Sequence, residues 1–314
     1  MYSKAPAGPG NAPLVINDMS EDKLFRFTRE LVDLESTSGH EAAASGYVAQ
    51  FLAASGFEVE TWDAEPGRPN VFATAAGGTA RVVLSTHLDT VPPFFPSSED
   101  ANVIRGRGAC DAKGICAAQV FAALELARRG VQDFGLLFLV GEERNSAGAI
   151  AANQRQRELA PEVRYLINGE PTESRLIRGG KGVLRMLLRA HGRAAHSAYP
   201  ELGESAIDKL IEALFRLRGL ELPQDPDLGA ATLNIGTIAG GRASNVIADL
   251  AEAEVMFRTV GPAGPLQQRV LAAVQELVEC QLVLELPPIT LETLPGFATG
   301  VVAFGTDIPQ LRAW

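Results

Sequence analysis

Two continuous apolar runs, Val82-Val83-Leu84 and Leu136-Leu137-Phe138-Leu139-Val140, leave this chain few folds to choose from. Strands without polar alternation are buried on both faces, which is the situation of strands in an open α/β sheet covered by helices. Such sheets present their strand ends to the crevice where ligands bind. Each run here leads into ionisable residues: His87-Leu88-Asp89 after the first and Glu142-Glu143 after the second, with Asp111 and Glu170 in similar positions elsewhere. One histidine and four carboxylates gathered in one crevice would repel one another unless cations held them together. The pattern therefore predicts a divalent metal site, with two ions.

At 314 residues the chain exceeds what one hydrophobic core usually supports, so two domains are expected. A net charge of −10, with no Lys/Arg cluster, argues against nucleic acid and anionic membrane surfaces as partners. Cys110, Cys116 and Cys280 are odd in number and lack CxxC spacing, which argues against a disulfide framework and for a reducing, cytoplasmic setting. No apolar run approaches the roughly 18 residues of a membrane helix. Residues 1–19 carry Pro, Gly and Ala without a signal-peptide core and are expected to form a disordered leader.

From Ser20 onward, helical and strand signals alternate. Helices are predicted from Ser20, over 41–54, 115–129 and 146–158, with strands over 58–62, 70–74, 81–86, 135–140 and 165–168. From Gly182 the predicted order becomes β-α-β-β-α-β, a ferredoxin-like arrangement with helices on one face. The expected organisation is a catalytic metal-binding domain over 20–179 and 289–314, interrupted by a lid/dimerisation domain over 180–288. The return segment is predicted to supply one more helix and strand.

The candidate residues each admit a plainer reading. His87 and Asp89, at i and i+2 on an extended segment, point the same way, so the Asp carboxylate can orient the imidazole; a strand-end His before an Asp turn would look the same. Asp111 lies in the glycine-rich segment 106–114, where its carboxylate could bridge two cations or cap the following helix. Glu142 and Glu143 can serve one site only if the chain turns between them. One would then bind metal while the other acts as general base on a water acidified by the metal; alternatively both belong to the acidic first turn of the next helix. Glu170, in Asn168-Gly169-Glu170-Pro171-Thr172, again follows a strand and precedes a turn. His196 lies far from the rest in sequence and carries no argument by itself.

Taken together, the segments Ser85–Pro92, Gly106–Gly114, Gly141-Glu142-Glu143, Gly169–Thr172 and His196–Pro200 resemble, in order, motifs of the M20 metallopeptidase family. That family includes acetylornithine deacetylase, succinyl-diaminopimelate desuccinylase, aminoacylases and glutamate carboxypeptidase. The resemblance covers residue 20 to the end. It implies a zinc-peptidase-like α/β catalytic domain with an inserted ferredoxin-like α+β lid, and a homodimer formed through that lid. It further implies His87 and Glu170 on one zinc, Asp111 bridging, Glu143 on the second zinc, Glu142 as general base and Asp89 behind His87; cobalt or manganese would suit the same donors. His196 would reach into the partner subunit's site to stabilise an oxyanion, and Asn245 and Arg258 match substrate-contacting positions.

The implied reaction is hydrolysis of the amide bond of an N-acyl amino acid, of deacetylase or desuccinylase type; a dipeptidase or carboxypeptidase is the alternative. The resemblance departs at one point. The family's last metal-ligand histidine, near the C-terminus, has no counterpart among His40, His87, His191 and His196. Expected on that ground is a natural sequence continuing past residue 314, or a fragment or degenerate paralogue one ligand short, the latter a catalytically silent metal-binding dimer.

Overall fold

The computed structural model describes residues 21–100 and 102–314, so the leader expected over 1–19 lies outside the described residues. The chain divides into two units: one runs to Pro171 and takes up Thr306–Trp314, and the other is Thr172–Gly305.

The first unit contains α1 (Glu21–Asp33), α2 (Ala42–Ala54), β1 (Phe57–Glu65), β2 (Arg68–Ala75), β3 (Val82–His87), a small hairpin of β4 (Ser98–Asp100) and β5 (Val103–Arg105), α3 (Lys113–Arg128), β6 (Phe134–Leu139), α4 (Ala147–Leu159) and β7 (Tyr165–Asn168). Its sheet has the order β1-β2-β6-β3-β7. β3 pairs in parallel with both β6 and β7, while β1, β2 and β6 pair antiparallel.

All six residues of β6 are buried, and the pleat divides them between two cores. Leu136 and Phe138 pack with Leu31, Val48, Leu52 and Val120 of α1, α2 and α3. Leu137 and Leu139 pack with Ala149 and Ala152 of α4 and with Leu311 of the returning segment. Helices on both faces account for the uninterrupted apolar run, and each such side chain contributes about 1.5–3 kcal/mol on burial.

The second unit holds β8 (Leu176–Gly180), β9 (Gly182–His191), α5 (Ala206–Arg218), the short pair β10 (Gln224–Asp225) and β11 (Gly229–Ala230), β12 (Thr232–Gly240), β13 (Leu250–Thr259), α6 (Ala263–Val274), β14 (Glu279–Leu286), β15 (Ile289–Thr290) and β16 (Thr299–Val302). The order β12-β13-β9-β14, antiparallel throughout, is the ferredoxin-like arrangement. Alternate residues Leu184, Met186, Leu188 and Ala190 of β9 meet Leu210, Leu214 and Leu217 of α5 and Leu266, Val270 and Val274 of α6. The Ser205 hydroxyl caps α5 by accepting from the Asp208 amide at 3.1 Å.

The returning segment differs from expectation. No α-helix forms after α6; instead β15 and β16 flank β8, pairing with Gly179 and Gly180, and a single 3₁₀ turn follows at Ile308–Gln310. Pro287, Pro288, Pro295 and Pro309 explain why, since each removes an amide donor and opposes helix propagation. The boundaries expected at 179/180 and 288/289 thus fall inside the second unit, whose three-stranded sheet spans both, and the chain re-enters the first unit at Thr306.

Candidate metal centre

Because β3, β6 and β7 run in parallel, their C-terminal ends share one edge of the sheet, and each end delivers part of the cluster. His87 is the last residue of β3 and lies opposite Leu139 of β6. Asn168 of β7 lies opposite Ser85, so Glu170, two residues on, comes level with His87. The Gly169 amide donates to Ser85 O at 2.7 Å and the Thr86 hydroxyl to Gly169 O at 2.8 Å, fixing that register.

His87 is buried, and its Nδ1 lies 3.0 Å from the carbonyl oxygen of Asp89. An acceptor there places the proton on Nδ1 and leaves Nε2 facing the other way. Nε2 lies 3.0 Å from Asp111 Oδ1 and 3.9 Å from Glu170 Oε2. A neutral imidazole lone pair aimed at a carboxylate oxygen is repulsive, so the arrangement calls for a cation or a proton at that spot. Ligand atoms of His87, Asp111 and Glu143 all lie within 4.8 Å of one another. That donor set, one imidazole and carboxylates, suits a divalent ion such as zinc, cobalt or manganese.

Two of the plainer readings lose their basis. Asp111 is not the cap of α3, which begins at Lys113 with Ala112 before it and no side-chain cap bond. Nor do Glu142 and Glu143 belong to the first turn of α4, which begins at Ala147 and has no acidic residue there. Instead the chain turns at Gly141 (φ +81°), and the Ser146 and Asn145 amides donate back to Gly141 O at 2.7 and 3.0 Å. Both glutamates on this turn lie close enough to His87 and Asp89 to feel their charges.

Asp89 departs in detail from its expected task. The imidazole bonds to the Asp89 carbonyl, whereas the carboxylate is 3.4 Å from Nδ1. The carboxylate accepts the amides of Glu142 at 3.0 Å and Glu143 at 3.2 Å and the Ser38 hydroxyl at 2.6 Å. Asp89 thereby ties the end of β3 to the loop after β6.

Residues without any sequence motif complete the support. Asn70 of β2, fully buried, accepts from the Val140 amide at 3.2 Å and donates to Gly148 O at 2.8 Å, closing the base of the loop. Gly148 permits this closeness: a Cβ there would stand 2.4 and 2.5 Å from the backbone O and N of Val140. Buried Arg68 pairs with Glu41 and Glu65, and Glu65 accepts from the Asn145 side chain at 3.3 Å. Beneath the Asp111 turn, buried Lys113 donates to Leu34 O at 2.5 Å, and burial pulls its ammonium down to about 8.

The electrostatics bear the mark of crowded carboxylates. Burial, reinforced by Asp307, Glu170 and Asp89, pushes Glu142 up to about 9. Burial, with Asp111 beside it, raises Glu170 to about 7 and also raises Glu143. Burial pushes Asp307 up to about 7. His87 moves the other way from what burial alone would do: bonding to Asp111 and Asp89 and the surrounding carboxylates hold its charge well above the ordinary imidazole range. Cations in the cluster would stabilise the ionised carboxylates and reverse their upward shifts.

The remaining candidates lie in the second unit. His196 and Asn245 are exposed and adjacent: the Ser197 amide donates to Asn245 O at 2.9 Å, and His196 bridges to Val246. Arg258 lies elsewhere. In β13, Leu250 pairs with His191 and Arg258 with Val183, which puts Arg258 roughly 26 Å along the strand from the end nearest His196.

Comparison with known proteins agrees with this architecture. The family model described as peptidase dimerisation domain matches residues 178–282. A Peptidase M20 domain-containing protein of Schizosaccharomyces pombe is 39% identical over 299 residues, covering 92% of this chain and 74% of the relative. A probable carboxypeptidase of Aspergillus fumigatus is 39% identical over 332 residues, covering 92% and 76%. Among solved structures, a tripeptidase from Staphylococcus aureus matches with TM-score 0.76 at 22% identity, covering 93% of this chain and 87% of that one. An M20 family metallo-carboxypeptidase from Sulfolobus solfataricus matches with TM-score 0.71 at 16% identity, covering 92% and 88%. The chain spans about three quarters of the length of these curated relatives, and by its identity to them it belongs to the M20 family of metallopeptidases.

Proposed function

We propose that this chain hydrolyses an amide bond whose leaving amine is an amino acid, with a pair of divalent ions held by His87, Asp111, Glu143 and Glu170. The observation that carries the reading is His87 Nε2, turned away from its Asp89 anchor and facing Asp111 at 3.0 Å. Asp111, whose carboxylate lies within 4.8 Å of the ligand atoms of both His87 and Glu143, would serve both ions, and Glu170 would join His87; that closeness supports the reading. When bound, the ions supply Lewis acidity that polarises a carbonyl and acidifies water.

The chain's own groups do the rest. Glu142, held on the same turn as Glu143 by the Asp89 carboxylate, takes a proton from the attacking water and delivers it to the leaving amine. Asp89 orients the imidazole through its carbonyl and the loop through its carboxylate. His196, Asn245 and Arg258 are the proposed substrate contacts, His196 donating to the developing oxyanion and Arg258 gripping a carboxylate. Since His196 and Asn245 lie at one end of β13 and Arg258 at the other, one copy of the unit does not present all three to one point. That separation supports a site shared across a homodimer, as does the match to a dimerisation domain, and Ile211, Phe215 and Ile238 of the same unit are exposed apolar residues.

Both an N-acyl amino acid and a peptide cut at its C-terminal residue fit this chemistry. Curated relatives described as probable carboxypeptidases support the peptide reading; the deacetylase or desuccinylase reading rests on the motifs around His87 and Glu170. The free thiols of Cys110, Cys116 and Cys280 support a cytoplasmic setting, and among the described residues no helix is long and apolar enough to cross a membrane.

The test is a panel of N-acetyl and N-succinyl amino acids, free dipeptides and N-blocked dipeptides, assayed with zinc, cobalt or manganese added. Cleavage of N-blocked dipeptides marks a carboxypeptidase, cleavage of free dipeptides alone a dipeptidase, and cleavage of simple N-acyl amino acids alone a deacylase. Metal binding without turnover on any of them would replace the enzyme by a silent metal-binding dimer.

A further inference from the structure

The pleat of β2 sends Arg68 and Asn70, at i and i+2, to the same face of the sheet, and both are buried there. Asn70 closes the base of the loop after β6 without carrying charge. Arg68 is 6% exposed, and a guanidinium keeps its charge even when buried. Its Nε donates to Glu41 Oε2 at 3.0 Å and its Nη2 to Glu41 Oε1 at 2.5 Å, a two-point pair with a carboxylate that is itself fully buried. Its Nη1 donates to Glu65 at the end of β1. Glu65 in turn accepts from Asn145 Nδ2 at 3.3 Å, and Asn145 Oδ1 accepts the Ala147 amide at 3.3 Å. A chain of bonds thus runs from the residue before α2, through Arg68, to the end of the loop that bears Glu142 and Glu143.

The guanidinium also meets the start of that loop. A Cβ on Gly141, whose φ is +81°, would stand 2.8 Å from Arg68 Nη2 and 3.0 Å from Asn145 Oδ1, so the turn lies against Arg68 with no room for a side chain. Stability does not demand a charged pair at this place. Desolvation offsets much of the attraction between buried ions, and apolar residues of similar volume often replace such a pair without loss. What apolar side chains lack is direction. With every nitrogen of the planar fork engaged, the guanidinium is held in one orientation beside the turn.

We propose that Arg68 is a positioning residue of the metal centre: clamped by Glu41 and Glu65, its guanidinium seats the Gly141 turn and thereby fixes Glu142 and Glu143, the next residues of the chain. The kinetic consequence rests on the proposed function, and the effect on the loop rests on the fold alone. Lysine keeps the charge but presents a single ammonium in place of the fork, so it does not restore the seat.

The experiment compares Arg68→Lys, the apolar pair Arg68→Met/Glu41→Leu and Asn145→Ala, the last at an exposed position, in the full chain. The readouts are Tm, amide hydrogen exchange across 141–147, bound zinc, and kcat and KM on the substrate identified above. Kinetics are taken with zinc saturating, so that loss of metal and misplacement of Glu142 are read separately. Expected for the apolar pair is a Tm near wild type, faster exchange confined to 141–147 and a kcat loss of roughly 10–100-fold, the range for residues behind a metal site, with KM within a few fold. Arg68→Lys should show the same exchange and kcat losses despite its charge. Asn145→Ala, which removes only the far end of the chain of bonds, should speed exchange of the same amides by a smaller factor. An apolar pair or an Arg68→Lys chain that matches wild type in exchange and kcat would reduce Arg68 to a fold anchor and overturn the assignment. Exchange that rises throughout the first unit instead of at 141–147 would overturn it equally. If either Arg68 variant fails to fold, Asn145→Ala decides: faster exchange confined to 141–147 upholds the assignment and unchanged exchange overturns it. Absence of hydrolysis in the wild type would sink the proposed function, while the exchange measurement would still test the role of Arg68.

Discussion

Gly46 in α2 and Gly148 in α4 are both helical glycines, and helix propensity alone predicts that alanine stabilises either by about 0.5–1 kcal/mol. Their surroundings separate them. A Cβ on Gly46 meets nothing within 4 Å, whereas one on Gly148 stands 2.4 Å from Val140 O, 2.5 Å from Val140 N and 2.7 Å from Asn70 Oδ1. Ordinary contact begins near 3.4 Å, so the helix start and the strand end would have to part by about 1 Å, at an overpacking cost of about 1–3 kcal/mol.

That movement would also stretch three buried hydrogen bonds: Gly148 N to Val140 O at 2.8 Å, Asn70 Nδ2 to Gly148 O at 2.8 Å and Val140 N to Asn70 Oδ1 at 3.2 Å. Each group left unsatisfied costs about 1–3 kcal/mol. Allowing for the propensity gain, Gly148→Ala should destabilise by about 3–5 kcal/mol, a fall in Tm of roughly 10 °C for a unit of this size, while Gly46→Ala should raise Tm slightly. Thermal unfolding followed by circular dichroism, paired with metal content, reads both. A Gly148→Ala protein as stable as Gly46→Ala would refute the clamp.

Four further outcomes follow from the site. Glu142→Gln should abolish turnover with metal content near normal; loss of metal instead would remove its role as base. Asp89→Ala, which frees the Glu142 and Glu143 amides, should weaken metal binding by roughly 10–100-fold, measured by competition with a chelating dye. For pH, Glu142, Glu170 and Asp307 have folded values of about 9, 7 and 7, above their ordinary 4.5, 4.5 and 3.8. The folded, metal-free chain therefore holds more protons than the unfolded one, and these groups' contribution is fullest below about pH 4 and lost as pH rises towards 9. Raised His87 acts in the same direction, and lowered Asp89 in the opposite one, with its contribution lost on acidification. Added zinc should accordingly raise Tm more at pH 8 than at pH 5; an equal gain at both would contradict that crowding. Finally, mixing His196→Ala and Glu142→Ala chains should recover some activity if the site is shared, and no recovery in proven mixed dimers would count against sharing.

What could be read from the sequence follows from range. β3 and β6 declared themselves because burial on both faces leaves an uninterrupted apolar run, and the ionisable residues at their ends stand out against it. Glu142 and Glu143 were interpretable because adjacent carboxylates demand a turn. Asn70 and Ser38 were not, because they act across separations as long as the 78 residues between Asn70 and Gly148, and an isolated Asn or Ser carries no periodicity. The task of the Asp89 carboxylate was legible only in part for the same reason: its neighbour His87, 3.4 Å away, stood within reach of the sequence, but its bonds to amides 53 and 54 residues away did not. The helix expected near the C-terminus failed against four prolines and the pairing that Gly179 and Gly180 offered to β15 and β16.

Whether His87, Asp111, Glu143 and Glu170 hold divalent ions beside Glu142 is decided by metal stoichiometry. Wild type, Asp111→Ala and Glu142→Ala, each stripped with chelator, re-equilibrated with zinc, desalted and measured by elemental analysis, form the comparison. Tightly bound zinc is expected in wild type and Glu142→Ala, with its loss in Asp111→Ala. Wild type without bound metal, or an Asp111→Ala chain that binds as much, would contradict it.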